Sequence, residues 1–134
     1  MIIVDANYFL GIYDELDSLH QRCLKISESM GETPILYLED VLKETQTVLS
    51  IRKGHAEGFE WIDSIYDNES PLDRQYTLGP GEYFQVLNTW RALDGGRLSF
   101  VDAEIIYLAR KHNFPVLSFD NELLRHLPKA LVVA

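Results

Sequence analysis

Two short apolar runs, at opposite ends of the chain, each end on an aspartate. Residues 2–4 are followed by Asp5, and the run PVLSF at 115–119 is followed by Asp120. In open α/β sheets, ligands collect at the carboxyl ends of the strands, so these two carboxylates would share one crevice if their strands lie near each other. Carboxylates gathered in such a crevice bind hard divalent cations, which serve phosphoryl chemistry.

Two further acids interrupt apolar helical stripes. Glu44 lies among Val41, Thr45 and Val48, and this helical spacing predicts that its side chain is on the buried stripe rather than on the solvent face. A carboxylate in that position is costly unless it is paired or coordinated. Asp102 stands at the start of another apolar stripe, and no basic residue follows the same pattern. Together the acids predict a site for Mg²⁺ or Mn²⁺.

Helix capping is the simpler explanation for three of these acids. Asp5 would cap the segment ANYFLGIY and Asp120 the segment NELLRHL, since aspartate is among the preferred N-cap residues. Ser99 and Asp102 have the spacing of an approximate capping pair. Glu44 has no comparable explanation.

Helices alternate with short apolar runs along the chain. Periodic apolar positions predict helices at 18–30, 41–53, 59–66, 83–93 and 99–112, and one or two helical turns at 121–127. Ser18 and Gln21 fit a capping box at the start of the first of these helices. Strands are predicted at 2–4, 33–38, 115–119 and 130–134, and the most loop-like stretch is 69–82. The pattern favours an α/β fold, a three-layer sandwich with a central, mainly parallel sheet flanked by helices, in a single domain spanning 1–134.

Charge and cysteine content limit the classes of function. The net charge of −9 argues against a broad basic surface for nucleic acid, but not against a nuclease whose acids surround metal ions. Cys23 is the single cysteine, and its apolar helical neighbours predict a buried thiol rather than a nucleophile. The sequence contains no glycine-rich phosphate loop and no zinc-ligand spacing. Since nothing resembles a signal peptide or a membrane span, we expect a cytoplasmic protein.

Three segments resemble the successive motifs of PIN-domain ribonucleases, most closely the VapC-type toxins of toxin–antitoxin pairs: IIVDANYFL, VLKETQTVL and LSFVDAEIIYLARKHNFPVLSFDNEL. The resemblance implies an acidic quartet that is catalytic and holds one or two Mg²⁺ or Mn²⁺ ions: Asp5, Glu44, Asp102 and Asp120. It implies supporting roles for Asn7, Ser99 and Ser118. The implied reaction is metal-assisted hydrolysis of RNA phosphodiester bonds, which leaves a 5′-phosphate and a 3′-hydroxyl.

The resemblance also implies protein partners. VapC-type toxins commonly form homodimers, and a cognate antitoxin protein inhibits them by threading its tail through a groove near the active site. The chain has more aromatic residues than one small core readily holds, and we expect some of the following at such a groove or at a dimer face: Trp61, Tyr66, Tyr83, Phe84 and Trp90.

Two questions stay open at this point. The alternative interpretation belongs to a different class of function: a catalytically inactive α/β domain that binds a partner protein and uses its acids only as helix caps. If the protein instead binds RNA, its acidity requires a few local cations to hold the substrate, and the candidates are Arg52, Lys53, Arg74, Arg97 and Arg125.

Overall fold

Five short parallel strands form the sheet in the computed structural model, which describes residues 1–67, 73–93 and 96–133. The strands, in chain order, are β1 (Ile2–Val4), β2 (Ile35–Leu38), β3 (Arg74–Tyr76), β4 (Val116–Leu117) and β5 (Val132–Val133). Their spatial order is β3-β2-β1-β4-β5. β1 and β4 are wholly buried and consist of isoleucine, leucine and valine, as expected for parallel strands covered on both faces.

Seven α-helices connect the strands in the described part of the chain. They are α1 (Ala6–Tyr13), α2 (His20–Met30), α3 (Glu39–Lys53), α4 (His55–Asp67), α5 (Glu82–Ala92), α6 (Phe100–His112) and α7 (Asn121–Leu124), and a 3₁₀ turn follows at Lys129–Leu131. α1 packs against α2 and α3, α3 against α4, and α5 against α6. None of these helices has both the length and the apolarity that a membrane span requires.

The order of the strands creates a crevice between β1 and β4. The chain proceeds from β1 to β2 and β3 on one side of β1, and then returns to place β4 on the other side. Because crossovers between parallel strands are right-handed, this reversal puts α1–α4 on one face of the sheet and α5 and α6 on the other. The predicted three-layer sandwich is thereby confirmed. Ligands of such sheets bind at the carboxyl ends of the strands where the direction reverses, here beyond Val4 and Leu117.

The core explains why the helices adopt these positions. In α6 every side chain from Ala103 to Ala109 is buried, and the α3 side chains Val41 and Leu49 are completely buried.

Cys23 is buried as predicted, and burial raises the pKa of its thiol to about 11, so the thiol stays protonated. α3 ends at Gly54, whose φ of 101° is a conformation that glycine adopts readily.

Three local predictions from the sequence differ from the structure. β3 lies in the stretch predicted to be a loop, because an exposed edge strand of sequence RQY has no apolar pattern to reveal it. α2 begins at His20 without a side-chain cap, so the predicted capping box of Ser18 and Gln21 is wrong; Asp17 Oδ1 instead accepts a hydrogen bond from Leu19 N (2.9 Å). β4 and β5 are shorter than predicted, and residues 68–72, 94, 95 and 134 lie outside the described part of the chain.

A partly buried carboxylate ties β3, α5 and α6 together. Glu82 accepts hydrogen bonds from Tyr76 Oη (2.6 and 2.8 Å) and Gly79 N (2.9 Å). It also accepts from Tyr107 Oη (3.1 Å) and Lys111 Nζ (3.3 Å). The bonds from Tyr76 and Gly79 are the main reason why the pKa of Glu82 falls to about 2.

We expect Glu82→Gln to destabilise the fold in a pH-dependent way. The folded pKa of Glu82 is depressed, so its stabilisation is present above the unfolded value of about 4.3 and is lost as the pH falls toward about 2. Hydrogen bonds to a charged group contribute about 2 kcal/mol, so the variant should melt about 5 °C below wild type at about pH 7. At about pH 3 this gap should narrow by about half.

Thermal denaturation at the two pH values measures the effect. Glu15→Gln is the matched control, because Glu15 is exposed and its side chain makes no hydrogen bond or ion pair within the described residues. If the melting temperatures of Glu82→Gln and wild type differ equally at both pH values, then the ionised form of Glu82 does not stabilise this network.

Candidate metal centre

Asp5 lies at the middle of the crevice, one residue after β1. Its side chain is 7% exposed. Oδ1 accepts a hydrogen bond from Ala6 N (2.8 Å) and so caps α1, and Oδ2 accepts one from Ser118 Oγ (2.7 Å). Burial raises the pKa of Asp5, the two hydrogen bonds oppose this, and the negative charges of Asp102 and Asp120 add to it.

Ser118 joins the ends of the two central strands. It follows β4 directly and is 1% exposed. While its hydroxyl donates to Asp5, its oxygen accepts from Asp120 N (3.1 Å) and from Asn7 Nδ2 (3.4 Å). One hydroxyl can serve as donor and acceptor at once, so a single side chain orients residues from β1, α1 and the segment after β4.

Asp102 and Asp120 both cap helices, as the simpler explanation predicted. Asp102 Oδ2 accepts from Ser99 N (2.8 Å) and Ser99 Oγ accepts from Asp102 N (3.2 Å), which completes a capping box at the start of α6. Asp120 Oδ1 accepts from Glu122 N (3.0 Å) and Leu123 N (3.4 Å) at the start of α7. Each cap uses one carboxylate oxygen. Within the described residues, Oδ1 of Asp102 and Oδ2 of Asp120 accept no hydrogen bond, so capping does not prevent these oxygens from ligating a cation.

Glu44 is exposed, and its predicted position on the buried stripe is wrong. The buried face of α3 consists of Val41, Leu42, Thr45 and Leu49, and Glu44 lies beside it, at the border with solvent. Partial desolvation raises the pKa of Glu44, and the charges of Asp5 and Asp102 raise it further, so its carboxylate lies close enough to interact with both. The apolar spacing identified the neighbouring helix face correctly but could not decide which side of its border Glu44 occupies.

The four acids therefore meet at one edge of the sheet without a compensating cation. Asp5 interacts electrostatically with Asp102, Asp120 and Glu44. In the described residues, none of the four forms an ion pair with a lysine, arginine or histidine. The adjacent Lys43 pairs with Glu39 and Asp40 instead, at 3.5 Å each.

This donor set fits a hard divalent cation. The oxygens are carboxylate and amide oxygens, which Mg²⁺ and Mn²⁺ prefer. Asn7 supports the fit, because its Oδ1 is buried and has no hydrogen-bond partner among the described residues. An unpaired buried acceptor is costly, and a nearby cation or its hydration shell would satisfy it. Within residues 1–67, 73–93 and 96–133, no three acidic, histidine or cysteine side chains are close enough together to form a ligand shell as they stand.

Sequence reasoning missed Glu104, a further buried acid, which lies beside Asp40. It is 1% exposed on α6, its Oε1 has no hydrogen-bond partner among the described residues, and it shares a hydrogen bond with Asp40. Burial, and then Asp40, raise the pKa of Glu104 to about 8. The sequence contained a signal for this burial, because Glu104 is the one charged residue in the otherwise apolar segment from Ala103 to Ala109.

The fold and the acidic crevice together define an α/β domain with a candidate metal centre at the reversal point of its sheet. The chain belongs to the PIN domain family, whose family profile matches residues 2–129. This confirms the resemblance that its motifs suggested.

Two solved structures share the fold. VapC20 of Mycobacterium tuberculosis is 21% identical, with a TM-score of 0.79 over 93% of this chain and 94% of that one. PAE2754 of Pyrobaculum aerophilum is 17% identical, with a TM-score of 0.63 over 98% of this chain and 87% of that one. No curated protein matches the chain.

We expect Asp5→Asn to stabilise the metal-free protein. The amide removes a buried charge that Asp102, Asp120 and Glu44 repel, while its oxygen and nitrogen can still bond to Ala6 N and Ser118 Oγ. In chelator at about pH 8, the variant should melt about 3 °C above wild type, which corresponds to about 1 kcal/mol. Added Mg²⁺ or Mn²⁺ should raise the melting temperature of wild type and that of the variant much less, reversing the order.

Asp63→Asn is the control, because it removes one exposed carboxylate on α4, remote from the crevice in the fold. It should match wild type in chelator and gain as much from the metal. If Asp5→Asn behaves like this control, the acids do not form one cation site.

Proposed function

We propose that the protein is a metal-dependent endoribonuclease that hydrolyses RNA phosphodiester bonds with Mg²⁺ or Mn²⁺. The observation that carries the proposal is the meeting of four carboxylates, from the ends of β1 and β4 and from α3 and α6, without a cationic partner among the described residues. An arrangement of this kind is costly in a protein that has no use for a cation.

The family supports this reading. PIN domains are generally nucleases that use divalent metal ions. VapC20, which has the same fold, is described as a Sarcin-Ricin loop cleaving toxin. We propose that this chain is likewise an RNA-cleaving toxin, acts inside the cytoplasm and is controlled by a cognate antitoxin protein.

The side chains have distinct roles in the proposed reaction. Asp5, Glu44, Asp102 and Asp120 hold one or two ions. When bound, the metal supplies Lewis-acid stabilisation of charge on the phosphate and lowers the pKa of water. Asp5 is buried and anchors the site, whereas Glu44 is exposed and lies on the side from which RNA and water arrive.

Three polar neighbours orient these carboxylates. Ser118 holds Asp5 Oδ2, Asn7 bonds to Ser118, and Ser99 holds Asp102 through the capping box. Such outer hydrogen bonds fix the direction of a ligand's lone pairs before the cation binds, which reduces the reorganisation that binding requires.

An exposed aromatic surface favours a protein partner in addition. Tyr83, Phe84 and Trp90 are exposed on α5, and Tyr83 and Trp90 contact Phe100 at the start of α6 (ring centroids 5.5 and 5.8 Å apart). Clustered exposed aromatics are typical of protein interfaces. We propose this surface for the homodimer or the antitoxin. Trp61, by contrast, is in the core.

We expect Asp5→Asn, Asp102→Asn and Asp120→Asn each to lower metal-dependent RNA cleavage at least about 100-fold, since each removes one charged oxygen ligand. Glu44→Gln should be severely impaired for the same reason. The assay incubates a mixed RNA pool and a sarcin–ricin loop oligonucleotide with Mn²⁺ or Mg²⁺ and identifies the termini, which should be a 5′-phosphate and a 3′-hydroxyl. Circular dichroism checks that each variant is folded.

Asp63→Asn should cleave at the wild-type rate. Near-normal cleavage by any two of the three aspartate variants would refute the proposed site. No metal-dependent cleavage by the wild-type protein would favour the alternative function, an inactive PIN-like domain that binds a partner.

We expect Ser118→Ala to lower cleavage by about 10–100-fold through weaker metal binding, because the loss of a hydrogen bond that orients a ligand typically has that effect. The diagnostic measurement is the metal concentration at half-maximal rate, which should rise, with partial rescue at high metal. Ser64→Ala is the control: it also removes a partly buried serine hydroxyl, one that donates to Trp61 O (2.6 Å) away from the crevice. An unchanged metal requirement in Ser118→Ala would show that the hydroxyl is only structural.

A further inference from the structure

A basic cleft adjoins the acidic crevice at the carboxyl ends of β4 and β5. Its volume is about 540 Å³, which is within the usual range for ligand sites. Leu124, Leu127 and Val132 provide an apolar wall, and three cations line it: Arg22 from α2, Arg125 after α7 and Lys129 from the 3₁₀ turn. Of these three cations, the sequence predicted only Arg125 as a candidate contact to RNA.

The cations that line this cleft have few carboxylate partners within the described residues. In an acidic chain most cations near carboxylates are paired, and here Arg52, Lys53 and Lys111 bind Asp14, Asp17 or Glu82 at 2.9–3.4 Å. Within the described residues, Arg22 and Lys129 form no ion pair. Arg125 has only an exposed contact with Glu122 at 3.3 Å. Two uncompensated cations at one cleft favour an anionic ligand.

Arg22 is held in position by Phe119. Its guanidinium lies over the ring, 4.9 Å from the centroid, and the side chain is otherwise exposed. A cation–π contact leaves the N–H groups at the edge of the guanidinium able to donate to an anion. The cleft therefore offers an oriented donor beside an aromatic and aliphatic wall.

The cleft is continuous with the acidic crevice. Ser118 belongs to both, since it lines the cleft and donates to Asp5. Phe119 and Asn121 flank Asp120 in the sequence and line the cleft as well. A polynucleotide with one phosphate at the acids is therefore able to place a neighbouring nucleotide in this cleft.

We propose that this cleft binds the RNA nucleotide next to the scissile bond, with its phosphate at Arg22 and Lys129 and its base against the apolar wall. The inference rests on the proposed ribonuclease function and extends it. RNA is favoured over an acidic peptide because the cleft combines cations for a phosphate with an apolar wall for a base and shares Ser118 with the acidic crevice.

The test compares Arg22→Gln/Lys129→Gln with wild type in binding a labelled single-stranded oligoribonucleotide. Chelator is present, so the affinity does not depend on cleavage. Loss of one phosphate contact lowers the slope of log affinity against log salt by about 0.7, so the double variant, which loses the single phosphate held by both cations, should show this decrease and bind about 10-fold more weakly at about 50 mM salt. Lys25→Gln/Arg91→Gln is the matched control, because it removes two exposed cations that do not line the cleft.

Cleavage kinetics provide the second measurement. With Mn²⁺ present, the double variant should raise KM about 10-fold and leave kcat within about twofold, since the cleft binds a part of the substrate that does not react. The control pair should change neither constant. If RNA is bound in the predicted way but no variant or wild-type protein cleaves it, the proposed function fails while the cleft assignment stands.

Three outcomes overturn the inference. Wild-type protein that binds no oligoribonucleotide is one. A double variant indistinguishable from the Lys25 and Arg91 control in affinity, salt slope and KM is another. The third is binding of polyglutamate that depends on Arg22 and Lys129 while RNA affinity does not, which would assign the cleft to a protein partner.

Discussion

The hydrogen bond from Ser118 to Asp5 joins the ends of β1 and β4, where the order in which the chain adds strands to the sheet reverses. The candidate site depends on this hydrogen bond. β1 and β4 are neighbours only because the chain returns across the sheet after β3, and this contact joins the residues that follow them. Asp5 is buried there, next to other carboxylates, so it needs both its hydrogen bonds and a counter-charge. The hydrogen bonds come from Ala6 and Ser118. The counter-charge has no source among the ion pairs of the described residues, which is why a cation is the natural complement of the site.

Capping a helix and the proposed ligation of a cation are compatible in this site because a carboxylate has two oxygens. Asp102 and Asp120 each use one oxygen for a helix N-terminus, and the other oxygen accepts no hydrogen bond within the described residues. The cap restricts the rotamers of the side chain. A ligand that is oriented in this way loses less conformational entropy when it binds an ion. The apparently competing explanations of these aspartates thus describe two halves of the same arrangement.

The distribution of charge is compatible with the RNA substrate that we propose for this acidic protein. Cations on α3 are paired with carboxylates, Lys43 with Glu39 and Asp40, and Arg52 and Lys53 with Asp14. Such pairs contribute little to stability at the surface, but they withdraw positive charge from any broad nucleic-acid surface. Arg22 and Lys129 are among the cations without an ion pair in the described residues, and both line the cleft beside the acids. Substrate binding would then depend on a few phosphate contacts, with little non-specific affinity.

The sequence by itself determined the fold class and most of the acids, since both follow from local patterns. The apolar runs at 2–4 and 115–119, each followed by an aspartate, predicted buried parallel strands with carboxylates at their ends, and the spacing of Ser99 and Asp102 predicted their capping box. Only the tertiary structure decided which partners these residues meet. Four features depend on residues that are far apart in the chain. They are the strand order β2-β1-β4, the exposure of Glu44, the burial of Glu104 and the cleft lined by Arg22 and Lys129. Local periodicity cannot predict such contacts, because it reports which face of an element is apolar and not what packs against that face.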